Sequence, residues 1–267
     1  MNVASAQRHF YPVLYLSQQA EKSVWRVVKT VAVLAVLALV FMAAISNVSN
    51  ELTEEDRFYI RKMLDESGHA NILPGIAASA SFDQQIGIIR ALQDTAFSAS
   101  PENQPIGLFH TREPKDVYLA RKALCFDRSR LIEKLAAYTG FPVEHISIYR
   151  RSNGWPGIIV LFTPRIESHA VSGIRTDRGW IVVDSTSHWI ALAQDGRPLS
   201  ISQIARLPPA DRHWSQSVEE QQPNKLLGGP FTYVIGLYSR HGFFYPPYVP
   251  FPDVNFSQLK ANWIEGF

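Results

Sequence analysis

Hydrophobic positions are spread unevenly along this chain. Every residue from 31 to 45 is apolar (VAVLAVLALVFMAAI), and no charge occurs between Thr30 and Asn50. A helix needs about 20 such residues to cross a bilayer core of about 30 Å, so the window at 30–50 predicts a transmembrane segment. The buried helix of a soluble protein would show a polar face within four turns, and none is present. A cleaved signal peptide is the competing reading, because Ala44-Ile45-Ser46 resembles a small-x-small cleavage site. Residues 1–29 form a polar leader longer than the n-region of a cleaved signal, which favours an uncleaved signal anchor.

Beyond the apolar run the pattern is first helical. Residues 52–67 predict a helix, with Thr53 as its cap and Asp56 three residues on, and with Phe58, Tyr59, Met63 and Leu64 as apolar positions. A second helix is predicted over 83–95, with Ile86, Ile89 and Ala91 facing a core. Residues 98–114, rich in Pro, Ser, Gly and Asn, predict an irregular loop. The helix pattern is strongest over 126–138, where Leu131, Ile132 and Leu135 share a face and Gly140 and Pro142 mark the stop. The period then shortens to that of strands at 146–149, 158–162, 169–175 and 180–184, with Asp177-Arg178-Gly179 as a hairpin turn between the last two. Helices followed by strands predict an α+β fold, a helix lying on an antiparallel sheet. Its expected core is Leu131, Leu135, Ile146, Ile148, Val160, Val171, Ile174, Ile181 and Val183. From Phe231 onward aromatics and prolines crowd together, which predicts a segment lying along the domain or forming part of a groove.

Charge adds direction to this layout. Lys22, Arg26 and Lys29 precede the apolar window, whereas Glu51, Glu54, Glu55 and Asp56 come after it. The positive-inside rule then puts the N-terminus in the cytoplasm and the rest of the chain on the outer face. Overall the chain carries 26 basic and 24 acidic residues, so no concentrated basic excess points to a nucleic-acid partner. One cysteine excludes a disulfide framework within the chain. No HxH, HExxH or paired-cysteine spacing predicts a metal site.

That cysteine, Cys125, stands at the start of the strongest helix, where the positive end of the helix dipole favours the nucleophilic thiolate. A packed, inert thiol is the bland reading of any free cysteine. His169 opens one predicted strand and Asp184 closes the next, so the hairpin brings the two side by side. The aspartate can then hold one imidazole nitrogen while the other faces Cys125, an order of nucleophile, base and orienter that suits acyl transfer.

ALCFDRSRLIEKLAAYTGFPV and SHAVSGIRTDRGWIVVDST together resemble the transglutaminase-like superfamily of papain-like cysteine enzymes. Asp127, two places after Cys125, matches a position often acidic in bacterial members. Gly140-Phe141-Pro142 resembles the "GIP" helix exit, and Gly179-Trp180 with Asp184-Ser185-Thr186 resembles the "GW…lDPT" ending, serine standing for proline. The resemblance covers about 113–189 and departs at Ala123-Leu124-Cys125, where a small "G-x-C" lead-in is common. It implies a transglutaminase-like, papain-like core with Cys125 as nucleophile, His169 as general base and then acid, and Asp184 as orienter. Attack on an amide or ester carbonyl would give a thioester, resolved by water or an amine. The Cys125 backbone N–H and, by analogy, the Tyr118 side chain are the expected oxyanion donors.

The expected organisation is a cytoplasmic segment at 1–29, an anchor at 30–50, a helical lead-in at 51–112, a transglutaminase-like domain at 113–230 and an aromatic segment at 231–267. The expected function is a thiol peptidase, amidase or acyltransferase in a bacterial inner membrane, needing no cofactor and acting on peptide, protein or envelope-associated amides. A non-catalytic accessory protein of envelope or exopolysaccharide assembly, with envelope-assembly proteins as partners, is the alternative. His188, His213 and His241 have no partner pattern and read as structural. Arg150-Arg151 and the pair Arg128 and Arg130 read as solvated surface charge, with a role beside Cys125 as the other reading.

Overall fold

A computed structural model of the protein describes residues 11–107, 110–151, 157–160, 163–212, 222–238 and 253–262. The chain divides into two units, Met1–Ser46 and Asn47–Phe267. The first is helix α1 (Tyr11–Ser46), 36 residues long. Its 18-residue stretch Val24–Phe41 has a mean hydropathy of 2.2, and none of it is buried by protein. At 1.5 Å per residue that stretch is about 27 Å, enough to span a bilayer core.

The second unit is mixed α+β. Helices α2 (Glu54–Glu66), α3 (Phe82–Ala99), α4 (Pro114–Ala120) and α5 (Cys125–Tyr138) come first. Strands β1 (Val143–Arg150), β2 (Ser168–Thr176), β3 (Gly179–Asp184) and β4 (Phe231–Ile235) then form one antiparallel sheet in the order β3-β2-β1-β4. Two short strands, β5 (Leu237–Tyr238) and β6 (Asp253–Val254), pair beside it. The α2 cap is reciprocal: Thr53 Oγ1 accepts the Asp56 N–H and Asp56 Oδ2 accepts the Thr53 N–H, both at 3.0 Å. On that helix the expected Met63 and Leu64 are buried and Tyr59 packs partly against the core, whereas Phe58 is exposed and Ile60 takes a buried place.

Helix α5 ends as its sequence dictates. Gly140 adopts φ +95°, the left-handed region open to glycine. Its N–H donates to the Ala137 carbonyl and the Phe141 N–H to the Ala136 carbonyl, a Schellman closure. The hairpin β2–β3 closes over Asp177 and Arg178, with Thr176 opposite Gly179 at φ +125°. All nine expected core residues are buried, Val160 in a small cluster with Tyr149, Val234 and Leu237 and the other eight in the main core.

Two segments differ from expectation. Residues 157–160 form a helical turn, α6 (Gly157–Val160), where the apolar pattern predicts a strand over 158–162; residues 161 and 162 lie outside the described residues. Short apolar runs suit a buried turn as well as a strand, and both edges of β1 are already taken by β2 and β4. Residues 231–235, expected to begin an aromatic segment, instead make the fourth strand, and residues 239–252 lie outside the described residues.

A buried polar cluster ties α5 to the strands. His145 Nδ1 lies 2.6 Å from Glu133 Oε1, and the Tyr238 hydroxyl donates to Glu133 Oε2 at 2.9 Å, the two rings stacked 4.1 Å apart. Arg130 and Lys134, on either side of Glu133 in the helix, reach back to residues 49–51. Arg130 donates to Asn50 Oδ1 and the Ser49 carbonyl, and Lys134 to the Glu51 carbonyl. Val48 completes the attachment, its N–H donating to the Val254 carbonyl.

Candidate active site

Cys125 is the first residue of α5 and is half-buried. Leu124 before it has no side-chain acceptor, so the helix start depends on Asp127, whose Oδ2 accepts the Leu124 N–H at 2.9 Å. The other Asp127 oxygen takes Arg112 Nη1 at 2.8 Å, and both side chains are buried. Burial pushes the Asp127 carboxyl above the usual carboxylate range, against the pull of Arg112. At the first helical position the helix offers the Cys125 N–H no acceptor, which leaves it free to bind an anion.

His169 and Asp184 are placed by the sheet. Asp184 lies directly across from Val171, two residues along β2 from His169. Side chains on one face of adjacent strands meet on that diagonal. His169 Nε2 is 3.0 Å from Asp184 Oδ1, and the Cys125 sulfur is close enough to the same imidazole to favour its charged form. With Nε2 held by the carboxylate, Nδ1 is the nitrogen left for the thiol. Asp184 is itself fully engaged. Its Oδ1 also accepts the Thr186 N–H and hydroxyl at 2.8 and 3.0 Å, and its Oδ2 accepts the Asn224 N–H at 2.8 Å.

Burial alone would lower the His169 imidazole, but the Asp184 carboxylate and the Cys125 sulfur reverse this and carry it up to about 10. Burial would raise Asp184, and the imidazolium with the N–H donors brings it down to about 2 instead. The two shifts agree in describing an ion pair. Its contribution to stability is therefore full between the ordinary values of 3.8 and 6.5. It fades as pH rises through the folded His169 value and as pH falls through the folded Asp184 value. Asp184→Asn is expected to cost about 3–5 kcal/mol near pH ~5.5 and less below pH ~3 or above pH ~9. Urea titrations of both proteins across pH test this; a difference independent of pH would contradict the charged pair.

Three supports of the site are not legible as motifs. Gln93 on α3 is buried, and its Nε2 donates to the Asp184, Ser187 and Trp189 carbonyls at 2.7, 2.9 and 3.1 Å, pinning the turn after β3. Asn224 acts through its backbone. Lys225, on the helical turn α7 (Lys225–Gly228), pairs with Glu167 at 2.9 Å. Glu167, two residues before His169, also pairs with Arg150, and the two cations hold its carboxyl down to about 2.

Other expected positions fall elsewhere. The Tyr118 hydroxyl donates to Glu66 on α2 at 2.7 Å and its ring meets Tyr59, so the structure places it in the α2–α4 contact. Arg128 and Arg130 are 3% exposed, correcting the reading of solvated charge: α5 is enclosed on nearly every side, and both guanidinia reach protein acceptors. Arg150 and Arg151 are exposed. His188 meets Asp94 at 3.1 Å and the Phe97 ring at 4.5 Å; His213 and His241 lie outside the described residues. Clefts of about 510 and 550 Å³ are lined by 69–91 and by 47–56 with 111–116 and Lys134, and neither includes Cys125, His169 or Asp184. Among the described residues no group of His, Cys, Asp and Glu is gathered to hold a metal.

The fold and site thus define a mixed α+β domain bearing a Cys–His–Asp constellation. No family model and no curated protein matches the sequence. A solved structure, "Crystal structure of a TGase", aligns over 56% of this chain and 37% of its own length, with 16% identity and a TM-score of 0.32. A likeness of that size carries no argument about this chain, and it spans well under half of that protein.

Proposed function

We propose that this protein is a membrane-anchored, extracytoplasmic thiol enzyme of transglutaminase-like type, cleaving or transferring an acyl group at an amide or ester bond. The observation that carries this reading is the meeting of Cys125, His169 and Asp184 at a helix start. The thiolate sulfur attacks the carbonyl carbon, and the oxyanion forms against the Cys125 N–H. The imidazolium of His169 gives its proton to the departing amine as the C–N bond breaks, leaving a thioester. Neutral His169 then takes a proton from water or an acceptor amine, which attacks the thioester and releases Cys125. Asp184 keeps the ring oriented and balances its charge throughout. A bacterial inner membrane, with the N-terminus cytoplasmic and a peptide, protein or envelope-associated amide as substrate, fits the apolar helix and its flanking charges.

One cysteine makes the test direct, since an alkyl adduct on sulfur has a single address. Cys125 is expected to react with iodoacetamide at pH ~6 about tenfold faster than free cysteine if it is the nucleophile of this site. Cys125→Ser should abolish function. Slow alkylation with a functional serine variant would instead support a non-catalytic accessory role in envelope assembly.

A further inference from the structure

Arg128 lies three residues after Cys125 on α5, on the same side of the helix one turn along. A buried guanidinium requires acceptors for its N–H groups and a counter-charge nearby. The acceptors are present. Nε donates to Ser100 Oγ at 3.1 Å, and Nη2 to the Ser100 and Glu102 carbonyls at 3.0 and 3.1 Å. Nη1 donates to Asn103 Oδ1 and the Ser185 carbonyl at 3.3 and 3.4 Å, and the Phe97 ring covers the group at 5.3 Å. Every one of these partners is neutral. The ionisable groups that act on Arg128 are Cys125 and Asp127. Asp127 already binds Arg112, so the sulfur is the remaining group whose negative form the guanidinium can favour.

We propose that Arg128 is a positioning residue for Cys125: its fixed guanidinium is the counter-charge of the thiolate, and its bond to Ser185 ties α5 to the turn after Asp184. This rests on the acyl-transfer reading of the site. The charged and titratable groups around the thiol are His169 from β2 with Asp184 behind it on β3, Arg128 and Asp127 on α5, and Arg112 bound to Asp127. Of the cations, Arg128 acts on the sulfur without being committed to a carboxylate. Arginine keeps its proton throughout the working range, so its effect persists where His169 titrates.

The test is the rate of iodoacetamide alkylation of the full chain at pH ~6 and at pH ~9.5, where an ordinary thiol is mostly ionised. Arg128→Gln is expected to react about five- to tenfold more slowly than wild type at pH ~6 and at a similar rate at the higher pH. Arg128→Lys keeps the charge but cannot reach acceptors on three segments. It is expected to lower the melting temperature yet hold the rate at the lower pH within about twofold of wild type; the contrast with the slowed glutamine variant, set by charge and not by stability, is what a purely structural role would not produce. If wild type is fast and a folded Arg128→Gln protein equally fast, the role of Arg128 falls and the acyl-transfer reading stands. If wild type reacts no faster than free cysteine, both fall. Should Arg128→Gln not fold, Arg128→Met, which also lacks the charge, decides: a rate slowed at pH ~6 but not at pH ~9.5 supports the proposal, and a wild-type rate at both overturns it.

Discussion

His169→Gln is expected to lower acyl transfer by about 100- to 10,000-fold while slowing iodoacetamide alkylation of Cys125 at pH ~6 only about tenfold. The two reactions ask different things of the imidazole. Alkylation needs a thiolate, and iodide departs without a proton. Cleavage of an amide needs the thiolate and also a proton delivered to the leaving nitrogen. Glutamine fills the site next to Asp184 without carrying that proton. Equal losses in both assays would mean that His169 only maintains the thiolate; no loss in either would remove it from the site. The comparison is read on one cysteine, so no background thiol blurs it.

Asp127→Ala is expected to cost about 3–5 kcal/mol, the range for breaking a buried ion pair from one side. Its carboxylate performs two tasks, accepting the Leu124 N–H at the start of α5 and binding Arg112. Asp127→Asn retains an acceptor for the helix start but removes the charge, and should fall between alanine and wild type. Urea denaturation of the three proteins gives the order. A loss below about 1 kcal/mol for alanine would show that the pair is dispensable to the fold.

Where periodicity and local chemistry suffice, the sequence is a good guide. Helix α5 is legible because its apolar stripe and its Gly140 stop are both local, and the β2–β3 hairpin because its turn residues sit between two alternating runs. The Thr53–Asp56 cap is legible for the same reason. Its second use is not: Asp56 also takes Lys134 Nζ at 3.0 Å, across 78 residues. Arg128 and Arg130 look like solvent-facing charges because composition cannot show that a helix is enclosed on nearly all sides. Gln93 and Asn224 give no signal at all, since one works on backbone carbonyls and the other through its own backbone N–H. Analogy with the resembled family puts Tyr118 beside the thiol, whereas its hydroxyl bonds Glu66. Strand β4 is hidden by its aromatic content, and the run at 158–162 by the ambiguity of any short apolar segment.

The two ends of the second unit are stitched to each other, Val48 to Val254 and Asn50 to Tyr238. Strand β4 also closes the side of β1 that would otherwise be an open edge. A ribosome delivers the partners for residues 48–50 and for that edge long after those residues have emerged. Until then the nascent chain carries Arg130 without a complete shell and a strand edge free to pair with the wrong neighbour. Completion of this domain therefore waits for residues 231–254, and the growing chain has reason to need a holding chaperone over that interval.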